Sequence, residues 1–122
     1  MKILIVDDDA KIQRMLKRRL KKAGHDVFFA ENGKEGIEKH WEIQPDLTLM
    51  DMHMPVMDGY EVLKEIRGNP EFSSLLVIAY TATSMEGEEE NFLNAGCDDY
   101  LPKPVDKKVL AEKLEKARVR SR

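Results

Sequence analysis

Five short apolar runs punctuate the chain, and between them apolar residues recur at helical spacing. The first run, Ile3-Leu4-Ile5-Val6, is unbroken and ends at three aspartates. A continuous run of this length suits a strand buried on both faces, as in a parallel sheet. Val27-Phe28-Phe29-Ala30, Leu47-Thr48-Leu49-Met50, Leu75-Leu76-Val77-Ile78-Ala79-Tyr80 and the brief Asp99-Tyr100-Leu101 predict four more strands. After the first run, Ile12, Met15, Leu16, Leu20 and Ala23 are spaced by three and four. That spacing predicts one helix face, with Gly24 as the stop. Ile37 and Trp41 predict a short helix after an Asn32-Gly33 turn, ending before Pro45. The stretch 52–59, with Pro55 and Gly59, reads as a loop. Asp58 with Glu61 three residues on reads as the cap of a helix carrying Val62, Leu63 and Ile66. That helix breaks at Gly68-Asn69-Pro70. Met85, Glu89, Phe92 and Gly96 mark a weaker helix, and Leu110, Leu114 and Ala117 a last one over about 106–118.

Strand followed by helix, five times over with short connections, predicts an α/β fold: a parallel five-stranded sheet between two helical layers. Right-handed crossovers bring the C-terminal ends of all strands to one edge, where open α/β sheets place their sites. No internal repeat or low-complexity tract interrupts the pattern.

Composition narrows the function classes. The 122 residues make one domain, 1–122, with a linker starting at 118–122. Net charge is -3, with 20 basic residues spread among 23 acidic ones. That balance gives no drive toward nucleic acid or an anionic membrane. The basic stretch 116–122 reads as a solvated helix end or a linker start. Cys97 is the single cysteine, so no intrachain disulfide forms. The apolar start is too short for a signal peptide or membrane span, which predicts a soluble cytoplasmic protein, and Met1 argues for a native start.

The candidate chemistry lies just after the strands. Asp7, Asp8 and Asp9 follow the first, Asp51 the third, Thr81 the fourth and Lys103 the fifth. Clustered carboxylates repel unless a cation intervenes, and oxygen donors of this kind suit Mg²⁺. Lys103 adds a fixed positive charge, and an aspartate so placed can attack phosphorus and hold an acyl phosphate. Each residue has a plainer reading: Asp9 as a helix cap, Asp7 and Asp8 as solvated loop charges, Thr81 and Lys103 as ordinary residues after strands. Convergence on one edge is what favours a site. His25 and His40 read as surface residues, and Met50, Met52, Met54 and Met57 as packing around Asp51.

Four segments then resemble one family: Ile3-Leu4-Ile5-Val6-Asp7-Asp8-Asp9; Leu49-Met50-Asp51-Met52-His53-Met54-Pro55-Val56-Met57-Asp58-Gly59; Ala79-Tyr80-Thr81-Ala82; and Asp99-Tyr100-Leu101-Pro102-Lys103-Pro104. In order and spacing they resemble the receiver domain of two-component response regulators. The resemblance implies a flavodoxin-like three-layer fold with strand order 2-1-3-4-5. It implies that Asp51 accepts a phosphoryl group from a sensor histidine kinase or histidine phosphotransfer protein, without turnover of an external substrate. Asp8, Asp51 and the backbone carbonyl of His53 would ligate Mg²⁺, with Mn²⁺ as a substitute, and Asp7 would act mostly through a bound water. Lys103 would contact the phosphate, Thr81 would turn its hydroxyl toward it, and Tyr100 would follow inward. The Lys103-Pro104 bond would be cis, and His53 and Thr83 would tune the phosphate lifetime. The last helical layer and the fifth strand would read out the state to a downstream partner, with a phosphorylation-dependent homodimer left open and no nucleic-acid contact or membrane insertion.

Two alternatives compete: a degenerate receiver acting as a constitutive binding module, and a Mg²⁺-dependent phosphatase with an aspartate nucleophile. The first normally loses an acidic residue or the lysine, and none is missing. The second usually carries its nucleophile after the first strand in an Asp-x-Asp-x-Thr run, which this chain lacks. The motif style also resembles receivers attached to hybrid kinases.

Overall fold

The computed structural model describes residues 1–72, 74–81, 88–103 and 105–120, with Thr81 by its backbone alone. The elements are β1 (Lys2–Val6), α1 (Ala10–Lys22), β2 (Asp26–Ala30), α2 (Gly33–Ile43), β3 (Leu47–Asp51), α3 (Gly59–Arg67), β4 (Leu76–Thr81), α4 (Glu88–Ala95), β5 (Asp99–Pro102) and α5 (Lys107–Arg120). A single 3₁₀ turn, Pro70–Phe72, follows α3. The strands form one parallel sheet of order β2-β1-β3-β4-β5.

Alternation along the strands divides the core. Ile3 and Ile5 of β1 join Leu16 and Leu20 of α1 and Leu110, Leu114 and Ala117 of α5 on one face. Leu4 and Val6 join Val62, Leu63 and Ile66 of α3 and Phe92 of α4 on the other. All five residues of β3 are buried, as befits the central strand. The chain adds β2 on one side of β1 and β3 on the other. The reversal opens a crevice at the C-terminal ends of β1 and β3, the switch point where open α/β sheets bind ligands.

Local capping follows the sequence closely. Asp9 accepts hydrogen bonds from the amides of Lys11 (2.9 Å) and Ile12 (3.4 Å), and Asp58 from that of Glu61 (3.0 Å). Asn32 is the cap of α2 rather than part of a turn, accepting from the Glu35 amide at 2.8 Å.

The readings of Ala23 and His40 need correction. Ala23 lies past the end of α1 and is exposed, because the helix finishes before its apolar stripe does. Ile37 and Trp41 do share a helix that ends before Pro45, with Trp41 49 % exposed and resting edge-on against Phe72, ring centroids 5.0 Å apart. His40, read as a surface residue, is fully buried beneath α2. Its Nδ1 lies 2.6 Å from the Gly36 carbonyl and its Nε2 2.8 Å from the Thr48 hydroxyl on β3. A carbonyl only accepts, so Nδ1 carries the proton and Nε2 accepts from Thr48.

Candidate functional site

Sheet register builds the site. Val6 pairs with Met50, so the next residues, Asp7 and Asp51, emerge side by side from β1 and β3. One ligand atom from each of Asp7, Asp8 and Asp51 falls within 4.8 Å of the other two. Asp8 is exposed, whereas Asp7 is fully buried and Asp51 is 5 % exposed. From the far side comes Lys103, after β5, with Nζ 3.4 Å from Asp7 Oδ2 and 3.6 Å from Asp51 Oδ2. Sequence reasoning named these four residues, and the fold brings them together.

Asp7 is held at both oxygens. Oδ1 accepts from the Asp9 amide at 2.8 Å, and Oδ2 accepts from the Tyr80 hydroxyl and from Lys103. Gln13 of α1 donates to the carbonyls of Asp7 and Ala30, pinning the end of β1 to its helix.

Asp51 is held more loosely, with Oδ1 accepting from the His53 amide at 3.1 Å. Burial pushes its carboxyl up to about 6, opposed by the His53 amide and Lys103 and reinforced by Asp7. One ammonium among three carboxylates leaves the cluster short of positive charge. Hard oxygen donors, two of them buried, fit a small divalent cation such as Mg²⁺.

The loop after Asp51 closes tightly over the site. At Gly59 a Cβ would meet the Asp51 carbonyl oxygen, Met52 Cα and Met52 Sδ, each at 2.7 Å, so only glycine fits there. Val56 takes φ 70°, and the Met57 amide donates back to the Pro55 carbonyl at 2.8 Å, a tight turn on an exposed β-branched residue.

His53 is exposed, with Nε2 2.8 Å from Glu88 Oε1 at the start of α4. Its ring leans on Tyr60 and Phe92, with centroids 6.5 Å away in both cases. Tyr100 is half-buried and packs on the same Phe92 at 6.3 Å. Thr81 pairs through its backbone with Pro102, next to Lys103. The expected turning of the Thr81 hydroxyl, the tuning role of Thr83, Met85 as part of a helix and the cis bond at Pro104 lie outside the described residues.

Tyr80 was missed as a site residue. It sits opposite Asp51 in the sheet register, is fully buried, and lies beneath Lys103, whose Nζ is 4.5 Å from the ring centroid. Burial and the neighbouring Asp7 push its phenol well above the usual range. A polar-tipped aromatic inside an apolar strand was the available signal, since a buried tyrosine hydroxyl needs a partner.

The sequence profile of the response regulator receiver domain matches residues 3–115. The chain is 37 % identical over 119 residues to hybrid signal transduction histidine kinase I of Dictyostelium discoideum, covering 91 % of this chain and 7 % of that protein. It is 42 % identical over 103 residues to the transcriptional regulatory protein ResD of Bacillus subtilis, covering 84 % and 42 %. The chain thus spans less than half the length of these two relatives. Its fold superposes with TM-score 0.86 and 33 % identity on the receiver domain of sensor histidine kinase PA1611 from Pseudomonas aeruginosa PAO1, covering 94 % of both chains. That structure carries a magnesium ion coordinated in the active site cleft.

Proposed function

Because the chain belongs to the response regulator receiver domain family of two-component systems, we propose that Asp51 accepts a phosphoryl group and that this chemistry switches a surface of the domain. The observation that carries the proposal is the meeting of Asp7, Asp8 and Asp51 within 4.8 Å beside the Lys103 ammonium. A histidine kinase or histidine phosphotransfer protein would be the donor. Its N–P bond breaks as an O–P bond forms at Asp51, and the leaving imidazole keeps its electron pair. Asp8, Asp51 and the His53 carbonyl would hold Mg²⁺, or Mn²⁺ in its place, with Asp7 acting through a water. When bound, the cation supplies positive charge against the phosphoryl oxygens.

The chain's own residues do the rest. The His53 amide orients the Asp51 carboxylate through Oδ1, and Oδ2, which faces Lys103, is the attacking atom. Lys103 is near enough to follow charge developing on the phosphoryl group. Thr81 would turn to the phosphate, and Tyr100 would shift against Phe92, carrying the change to the α4-β5-α5 surface and a downstream protein or a second copy of the domain. The domain thus acts as a phosphoacceptor that catalyses its own phosphorylation and dephosphorylation.

Incubation with Mg²⁺ and acetyl phosphate, followed by intact mass measurement, tests the reading. One phosphate adduct is expected, absent in Asp51→Asn and strongly reduced in Lys103→Ala or in EDTA. An adduct that survives Asp51→Asn would sink the assignment. Repeated turnover of an external phosphoester would favour a phosphatase instead.

A further inference from the structure

We infer that Tyr80 is a positioning residue that lets Lys103 leave Asp7 for a phosphoryl group on Asp51; this rests on Asp51 being the acceptor. Asp7 is fully buried. A buried carboxylate stripped of its partners is strongly disfavoured. Lys103 lies 3.4 Å from Asp7 Oδ2 and 3.6 Å from Asp51 Oδ2, so a single ammonium serves two carboxylates. Were Lys103 the sole donor on Asp7 Oδ2, drawing it toward phosphoryl oxygens would strand a buried charge. The Tyr80 hydroxyl donates to that same oxygen. It cannot follow the phosphate, because its strand is paired on both sides and its ring is packed with Leu101 and Val105. Asp7 Oδ1 keeps the Asp9 amide throughout, so Asp7 stays satisfied when Lys103 departs.

The two ends of the tyrosine divide the work. The hydroxyl holds Asp7. The ring lies under the Lys103 ammonium, with Nζ 4.5 Å from its centroid, and guides the cation without fixing it to one oxygen.

Tyr80→Phe separates these parts, because it keeps the ring and its volume and deletes only the donor. Lys103 is then bound more firmly to Asp7. Adduct formation from acetyl phosphate at saturating Mg²⁺ is expected to slow roughly tenfold, as for loss of one charge-assisted hydrogen bond. Asp7 is also left with an unmet demand for positive charge, so calorimetry without any phosphodonor should show Mg²⁺ binding at least about threefold tighter. Tighter metal with slower phosphorylation is a pattern that a loss of packing does not produce. An unchanged rate, or unchanged or weaker Mg²⁺ binding, overturns the inference. Site-specific 3-fluorotyrosine at position 80 keeps the shape and strengthens the donor. It should shift both quantities the opposite way, and failure to do so counts against the inference even if Tyr80→Phe folds poorly. Absence of an Asp51 adduct in the unsubstituted protein would instead refute the phosphoacceptor reading itself.

Discussion

His40 and Asp51 are both buried titratable groups, and they pull stability in opposite directions. Burial pushes the His40 imidazole down to about 4, although its bond to Gly36 works the other way. In the unfolded chain it titrates near 6.5. As pH falls from 6.5 to 4 the unfolded state takes up a proton first, and His40 costs about 3 kcal/mol of stability over that window. Asp51 is raised from 3.8 to about 6 when metal is absent. Its folded form takes up the proton first, so the same fall in pH restores a similar amount. In EDTA the two effects should nearly cancel. Asp51→Asn removes one of them and is expected to stabilise the protein at pH 7 by about 2 kcal/mol, and then to lose about 3 kcal/mol between pH 6.5 and 4. Adding His40→Gln should flatten that slope. Urea unfolding across the pH range, followed by the single Trp41, measures all three proteins. A slope in Asp51→Asn that persists after His40→Gln would contradict the assignment.

Arg67, at the end of α3, ties three elements together. Its guanidinium donates to the Gly96 carbonyl at 2.9 and 3.1 Å, to the Phe72 and Leu75 carbonyls at 3.0 and 2.8 Å, and to Asp98 Oδ2 at 2.9 Å. Asp98 Oδ2 also accepts from the Val77 amide of β4 at 2.8 Å. The fork thus binds the end of α3 to the entry of β4 and to the turn between α4 and β5. Gly96 permits it with φ 111° and a close approach to Arg67 Cγ. Lysine offers a point charge and no planar fork. Arg67→Lys is expected to lower the urea unfolding free energy by about 2 kcal/mol, because buried carbonyls lose their donors. The elements themselves were legible from apolar periodicity, and their ends from Asp9, Asp58 and Gly68. Arg67 was not, because its partners are carbonyls that lie 5, 8 and 29 positions further along the chain.

Charge is segregated, against the expectation that basic residues are spread among acidic ones. Helix α1 carries seven Lys and Arg and no acid, and α5 carries six and two glutamates. Thirteen of the 20 basic side chains, and two of the 23 acidic ones, therefore belong to one helical layer. Arg18, Arg19, Lys22 and Lys107 line a groove of about 360 Å³ between the two helices. The acidic cluster sits at the sheet edge. Such a field orients an approaching charged partner even when net charge is small. Despite a net charge of -3, the protein should be retained on a cation exchanger at pH 7 in low salt. Arg18→Gln with Lys22→Gln should shorten that retention, whereas passage of the unsubstituted protein in the void would refute the segregation. Among the described residues no helix is long and apolar enough to cross a membrane.

Periodicity alone set the α/β class and the order of elements, because a buried parallel strand and an amphipathic helix leave different spacings in one chain. It also placed Asp7, Asp8, Asp51 and Lys103 after their strands, and a common sheet edge then brought them together. Other features required the folded chain. His40 faces inward because α2 turns that side onto Thr48, which a helix with two isoleucines and one tryptophan does not reveal. The basic layer emerges only when α1 and α5, far apart in sequence, pack on the same face. Tyr80 joins the site because register sets β4 beside β3 and aims its hydroxyl at Asp7, 73 positions away. Local pattern reports which residues prefer burial, while their partners are chosen by pairing and packing between distant segments.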